Sequence, residues 1–215
     1  MRKPAAGNHK RVLFEPRSPD ELRRLVRDFP LAWVISLAEN DFCSTLLPIR
    51  PCSGSGPLSC LIGHFARSNR HVDVLKHDPR AWLLFLGPNG YISPSWMSDR
   101  TQAPTWNYAS AGFRVDIEFF DDAPSLEAHL RDLVQAMETG PDRWHVEEMG
   151  ERYARLAAKI IGFRAWVRDT RARFKLGQDE RDETFPEIVK GLERRGEITL
   201  AEWMKRANPG RTPED

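Results

Sequence analysis

Three β-prone runs, residues 31–37 (LAWVISL), 42–49 and 58–64, follow one another with only turn-forming segments between them. Glu39, Asn40 and Asp41 form a turn that makes the first two runs a hairpin, and residues 51–57, with Ser and Gly, form a loop. Strand after strand without a helix between them excludes a doubly wound sheet, which needs regular strand–helix alternation. Further extended segments are expected at 81–86, from Tyr91 to Ser93, at 106–120 as one bent strand or a strand pair, and at 160–167 with an extension toward Phe174. Gly87, Pro88, Asn89 and Gly90 read as a turn. Phe113, Val115, Ile117 and Phe119 repeat with the strand period of two. Six or seven short strands with helices inserted or appended define an α+β chain, a small β-barrel decorated by helices.

The helices announce themselves by their ends. Ser18 caps the first, Pro19 suits its first turn and Glu21 completes a capping box. Leu22, Leu25, Val26 and Phe29 then share a face until Pro30 stops the helix. Residues 69–77 form a short helix, with Val72 and Leu75 inward. Residues 124–137 place Leu126, Leu130, Leu133, Val134 and Met137 on one side, and 146–157 are also read as helical. Residues 184–195 turn Phe185, Ile188, Val189 and Leu192 inward. Thr199 caps a last short helix, and the residues after Asn208 read as a disordered tail.

Charge and cysteine content narrow the function classes. Formal net charge is +1 over 215 residues, so no global field draws the chain to nucleic acid or to a membrane surface. No apolar run resembles a signal peptide or approaches the ~20 residues of a membrane helix. Cys43, Cys52 and Cys60 lack metal-ligand or CxxC spacing and read as reduced thiols of a cytoplasmic protein, with one disulfide plus a free thiol as the alternative.

Residues 63–108 concentrate the unusual chemistry. In Gly63-His64-Phe65-Ala66-Arg67-Ser68-Asn69 a strand passes into a helix, and Ser68 or Asn69 can cap it. Free backbone donors there, with the planar fork of Arg67, suit an anion such as phosphate; a capped helix with a solvated Arg67 is the plainer alternative. His64 and His71 are each a hydrogen-bonding, metal-ligating or haem-ligating candidate, or a satisfied structural histidine. Ser93, Ser95 and Trp96 surround Pro94, and Thr105, Trp106 and Asn107 precede Tyr108. Hydroxyls, a carboxamide and flat indoles suit the edge of a heteroaromatic ring; burial of both tryptophans in the core is the alternative. Lys175 and Gln178 follow a strand, within reach of a phosphate or ring carbonyl or in a solvated turn. Neither a nucleophile motif nor a dinucleotide or P-loop glycine pattern is present.

Taken together, GHFARSN (63–69), FLGPNGYISPSW (85–96), APTWNY (103–108), IIGF (160–163) and FKLGQ (174–178) resemble the PaiB-like FMN-binding negative transcriptional regulators, in the family's order and over most of the chain. The resemblance implies an FMN-binding split β-barrel, a homodimer, and a flavin groove between subunits. It implies Arg67, Ser68 and Asn69 on the phosphate side, and Ser93, Ser95, Trp96, Thr105, Trp106, Asn107, Lys175 and Gln178 in the groove. The chain is also similar to the haem-dependent piperazate synthases, which would make His64 or His71 an axial ligand if haem is bound. Leu46 and Gly112 stand where the family has histidines, Arg70 replaces a proline and Gly177 a serine. Those departures leave FMN, haem or no cofactor as the three cofactor states.

The implied organisation is a flexible arm over 1–12, a cofactor-binding barrel over 13–180, and a helical extension with tail over 181–215. The implied role is a flavin-dependent oxidoreductase or regulator, with a haem enzyme and a transcriptional repressor as alternatives. DNA binding finds little support in the composition, because the helices on either side of Gly196 are basic only in places.

Overall fold

The computed structural model describes residues 13–38, 41–52 and 57–211. The expected arm over 1–12, most of the first hairpin turn and the end of the tail lie outside them. The elements are α1 (Pro19–Asp28), β1 (Leu31–Ala38), β2 (Asp41–Pro48), β3 (Arg50–Pro51), β4 (Cys60–Ala66), α2 (His71–His77), β5 (Arg80–Ile92), β6 (Thr105–Phe120), α3 (Ala123–Met137), α4 (Arg152–Ala157), β7 (Ile160–Lys175), α5 (Thr184–Arg194) and α6 (Ile198–Ala207). Short 3-10 turns occur at Pro94–Trp96 and Val146–Met149. The strands form a seven-stranded sheet in the order β2-β1-β5-β6-β7-β4-β3.

The chain divides into two compact units. One comprises Leu22–Phe85 and Gly112–Arg171, the other Met1–Glu21, Leu86–Ala111 and Ala172–Asp215. In the first, β1 pairs antiparallel with β2, so that Leu37 faces Phe42 and Trp33 faces Leu46. On its other side β1 pairs with β5, Trp33 against Leu84. β4 pairs antiparallel with β7, which sets Gly63 opposite Phe163 and His64 opposite Gly162. Phe65, Phe113 and Phe163 are fully buried, with Phe65 and Phe163 ring centroids 5.1 Å apart and Phe85 meeting Phe113 edge to face.

The second unit is built around α5 and α6. Phe185, Ile188, Val189 and Leu192 of α5 and Leu200, Trp203 and Met204 of α6 are buried. The Trp203 ring meets Phe174 at 5.9 Å. Trp96 lies on α5 where Gly191 leaves room: a Cβ at Gly191 would sit 2.5 Å from the indole.

Several expectations need correction. The 87–90 segment is not a turn, and β5 runs unbroken to Ile92. β1 reaches only Phe85, so Pro88 lies past the last β1 partner, where its missing N–H costs no bond to β1. Two expectations hold: 106–120 is one strand, the single-strand alternative, and β7 continues through Phe174 to Lys175. Gly150, at φ 53°, splits the expected helix over 146–157 into a 3-10 turn and α4. The last helix begins at Ile198, ahead of Thr199, with no side-chain cap. The chain also stays ordered past Asn208: the Arg211 guanidinium donates to the Gly177 carbonyl at 2.9 Å. Cys52 and Cys60 form a disulfide, because the Cys52 amide donates to the Cys60 carbonyl at 3.0 Å and aligns the two backbones 5.4 Å apart at Cα. The buried Cys43 is a free thiol. The first helix is capped as expected, with the Glu21 amide donating to Ser18 Oγ, although the Glu21 carboxylate accepts from the Arg17 amide rather than that of Ser18.

Gly162 is the tightest of these backbone approaches. A Cβ there would lie 2.3 Å from the Phe120 ring, which is itself buried under the Arg164 guanidinium. Gly162→Ala is expected to lower unfolding free energy by about 2 kcal/mol through overpacking, read as a lower urea midpoint at unchanged m-value.

Candidate functional site

The Gly63–Asn69 run ends β4 and turns into α2. The Asn69 carboxamide oxygen accepts the His71 amide at 3.0 Å, and its nitrogen donates to Thr45 Oγ1 at 3.3 Å. Arg67 is tied to the Ala158 carbonyl at 3.1 Å and to Asp121 at 3.2 Å, with its side chain 39% exposed. Ser68 is exposed. The turn thus presents a hydroxyl and a part-neutralised guanidinium outward, while Asn69 is used to hold its shape.

The two histidines differ sharply. His71 is 1% exposed, and both ring nitrogens are engaged, Nε2 with Ser36 Oγ at 2.8 Å and Nδ1 with Thr45 Oγ1 at 2.9 Å. Burial pushes its pKa down. His64 has one nitrogen engaged, Nδ1 with Nε2 of His129 at 3.0 Å. Its other face lines a cleft of about 180 Å³ walled by Leu130, Val134, Val146, Met149, Leu156 and Ile160. Burial lowers the His64 pKa as well. His129 is 4% exposed and its Nδ1 has no hydrogen-bond partner. Burial first, then the charges of His64 and Arg50, push its pKa down to about 4.

His129 went unread in the sequence. It falls on the apolar face of α3, three residues after Leu126, and a histidine at such a core position is the signal that would have found it.

In the other unit, three of the expected groove residues come together. The Lys175 ammonium donates to Thr105 Oγ1 and, at 3.3 Å, to the Trp106 carbonyl. Trp106 is 51% exposed, 6.1 Å from the half-exposed Tyr91 ring, and its indole N–H donates to Asn89. A cation, a hydroxyl and two open aromatic faces fit one edge of a flat, anionic ligand. Ser93 and Ser95 hydroxyls hydrogen-bond to each other at 2.8 Å, and Ser93 caps the 3-10 turn that carries Trp96 onto α5. Asn107 is fully buried, donating to Met204 Sδ at 3.5 Å with its Oδ1 unpartnered. Gln178 closes on its own turn, accepting from the Leu176 amide and donating to the Phe174 carbonyl.

Among the described residues no group of three or more His, Cys, Asp or Glu is placed to hold a metal ion, and no helix is long and apolar enough to cross a membrane.

The family follows from comparison with known proteins. Residues 9–169 match the model of the "Putative FMN-binding domain", and the chain belongs to that family. It is 24% identical to the protease synthase and sporulation protein PAI 2 of Bacillus subtilis over 184 residues, which is 84% of this chain and 86% of the relative. Among solved structures it is similar to the flavocytochrome Anf3 from Azotobacter vinelandii, with TM-score 0.58 and 18% identity over 75% of this chain and 69% of that one. It is also similar to a FAD and haem binding protein from Mycobacterium smegmatis, with TM-score 0.54 and 16% identity over 82% of this chain and 79% of that one. The fold is therefore the split β-barrel of flavin-binding proteins, with helices added.

The depressed His129 pKa has a pH signature. Its folded value lies below the unfolded one, so between about pH 6.5 and 4 the unfolded state binds more protons and stability falls as pH falls. The loss approaches roughly 3 kcal/mol once pH is below both values. Urea midpoints of the wild type are expected to drop across that window, and those of His129→Leu to drop less steeply.

Proposed function

We propose that this chain is a flavin-binding split-barrel protein of the PaiB-like kind, acting as a flavin-dependent oxidoreductase or sensor. The observation that carries the reading is the Thr105–Trp106–Lys175 constellation, in which Thr105 and Trp106 lie inside the 9–169 match to the FMN-binding family. In this reading Trp106 and Tyr91 offer flat faces to the flavin, Lys175 supplies positive charge, and Thr105 fixes the ammonium. Arg67 and Ser68 serve the phosphate, Asn69 shapes their turn, and Ser93, Ser95 and Trp96 shape a further wall. Gln178 holds backbone and Asn107 is buried against Met204, rather than touching the ligand. Bound flavin would supply the hydride chemistry, and these residues position it.

The reading assigns cofactor binding to residues 13–180 and an accessory role to 181–215. It keeps the chain in the cytoplasm. A regulatory role would follow from flavin occupancy, with DNA contact left to salt-sensitive retention assays.

Flavin fluorescence should be quenched on titration with the protein. Trp106→Ala and Lys175→Ala are each expected to weaken FMN binding about fivefold to tenfold. Unchanged affinity in both variants would remove this constellation from the site, and absence of any quenching would remove flavin.

Haem is the second reading, favoured by one observation: His64, unlike His71, has a ring nitrogen not engaged by protein. The absorbance spectrum of the purified protein separates flavin bands from a Soret band.

The homodimer reading rests on the sheet. Trp33, Leu37, Phe42, Leu46 and Leu84 are 40–80% exposed, and their register places them on one face. A contiguous apolar surface of this kind is rare on a monomer, and a second copy of the same face is its natural cover. Trp33→Arg is expected to shift sedimentation velocity from dimer to monomer; a wild type that sediments as a monomer refutes the interface.

A further inference from the structure

The His64–His129 pair and the cleft beside it are not used by the flavin constellation. Two neutral imidazoles joined by one Nδ1···Nε2 bond have two tautomeric arrangements. If His64 donates, His129 must carry its proton on Nδ1, which is buried without a partner. If His129 donates, that buried Nδ1 is a bare lone pair, and the proton of His64 moves to Nε2. A buried N–H without an acceptor is rarer in folded proteins than an acceptor without a donor. The positive charge of Arg50 bears on His129 and keeps that imidazole neutral, as both arrangements require.

His64 then carries its N–H on Nε2. That nitrogen makes no protein hydrogen bond and is not fully buried, on a side chain that lines the cleft. The walls are aliphatic, with Tyr153 and Trp144 as the other side chains bearing a donor. At about 180 Å³ the cleft is slightly larger than a cavity of ~150 Å³ that accepts benzene, and smaller than the 300 Å³ at which drug-sized pockets begin. One ring with one short substituent fills it.

We propose that this cleft binds a small, neutral, largely apolar molecule bearing a single hydrogen-bond acceptor, an aryl ketone or aldehyde in its simplest form, with His64 Nε2–H as donor and His129 setting the tautomer. An anion is disfavoured by the aliphatic walls, because no cation lines the cleft to neutralise it. A cation is disfavoured by the same walls and by an N–H that repels it.

The inference does not depend on flavin binding, and it competes with haem for His64, since an iron ligand needs a bare Nε2. The test uses the full chain with ¹⁵N-labelled histidine. Acetophenone and ethylbenzene, similar in shape but differing in the acceptor, are titrated while long-range ¹H–¹⁵N correlations report the His64 tautomer. Acetophenone is expected to bind about fivefold more tightly than ethylbenzene. His64→Phe should bring the two to parity, and Ala157→Leu, which fills the cleft and leaves both histidines in the sequence, should abolish both. A His64 protonated at Nδ1, no saturable binding of acetophenone, or a preference that survives His64→Phe overturns the proposal. If His64→Phe fails to fold by near-UV circular dichroism, the tautomer and the Ala157→Leu result still decide it.

Discussion

The antiparallel register of β4 against β7 is the constraint on which the rest of the larger unit depends. It sets Gly63 opposite Phe163 and His64 opposite Gly162. Each glycine admits a ring where a side chain would clash: Phe163 at Gly63 and Phe120 at Gly162. Phe120 in turn meets His129 nearly edge-on at 6.3 Å, and His129 reaches His64. A slip of one residue would turn His64 into the Phe65–Phe163 core and bring Phe65 out, so the two glycine-containing motifs, GHFARSN and IIGF, are one structural device written in two places. The same strand end delivers Arg67, Ser68 and Asn69 to their turn. Fold register and candidate chemistry are therefore set by the same few pairings.

Much of the architecture was legible because it rests on local signals. Alternation, proline and glycine punctuation and capping residues located α1, the first hairpin strands, β6, α3 and α5 within a few residues. The errors share a cause. Gly87-Pro88-Asn89-Gly90 has turn chemistry, yet it continues a strand because Gly90 lets Leu200 of α6 approach, where a Cβ would sit 2.8 Å from it. Tertiary packing overrode local propensity there. One disulfide plus a free thiol was the alternative reading of the cysteines, but the pairing of Cys52 with Cys60 depends on β3 lying beside β4.

The candidate site was legible as residue types and not as roles. His64 and His71 look alike in sequence, seven residues apart on one strand-to-helix passage. Only the fold shows that Ser36 and Thr45 consume both nitrogens of His71, while His64 keeps one free. Asn107 and Gln178, chosen for their carboxamides, spend them inside the protein. Lys175 and Trp106 are the converse case, 69 residues apart and joined by a hydrogen bond that no spacing rule anticipates.

Leu46 and Gly112, which the resemblance marks as departures from the family pattern, acquire a physical sense once placed on the sheet. Leu46 faces Trp33 across β1 and β2, and a Cβ at Gly112 would meet Leu84 at 3.2 Å and Trp82 at 3.9 Å. Both positions thus belong to the exposed apolar face that Trp33 and Leu84 share. Histidines there would require partners whenever that face is covered, because a buried imidazole without hydrogen bonds is costly. Leucine and glycine remove that requirement and leave a surface that gains from exclusion of water alone. Two positions far apart in sequence therefore act in one direction, toward an apolar face. Of the candidate polar groups of this unit, those with an open side lie at the 67–69 turn and at the His64 cleft.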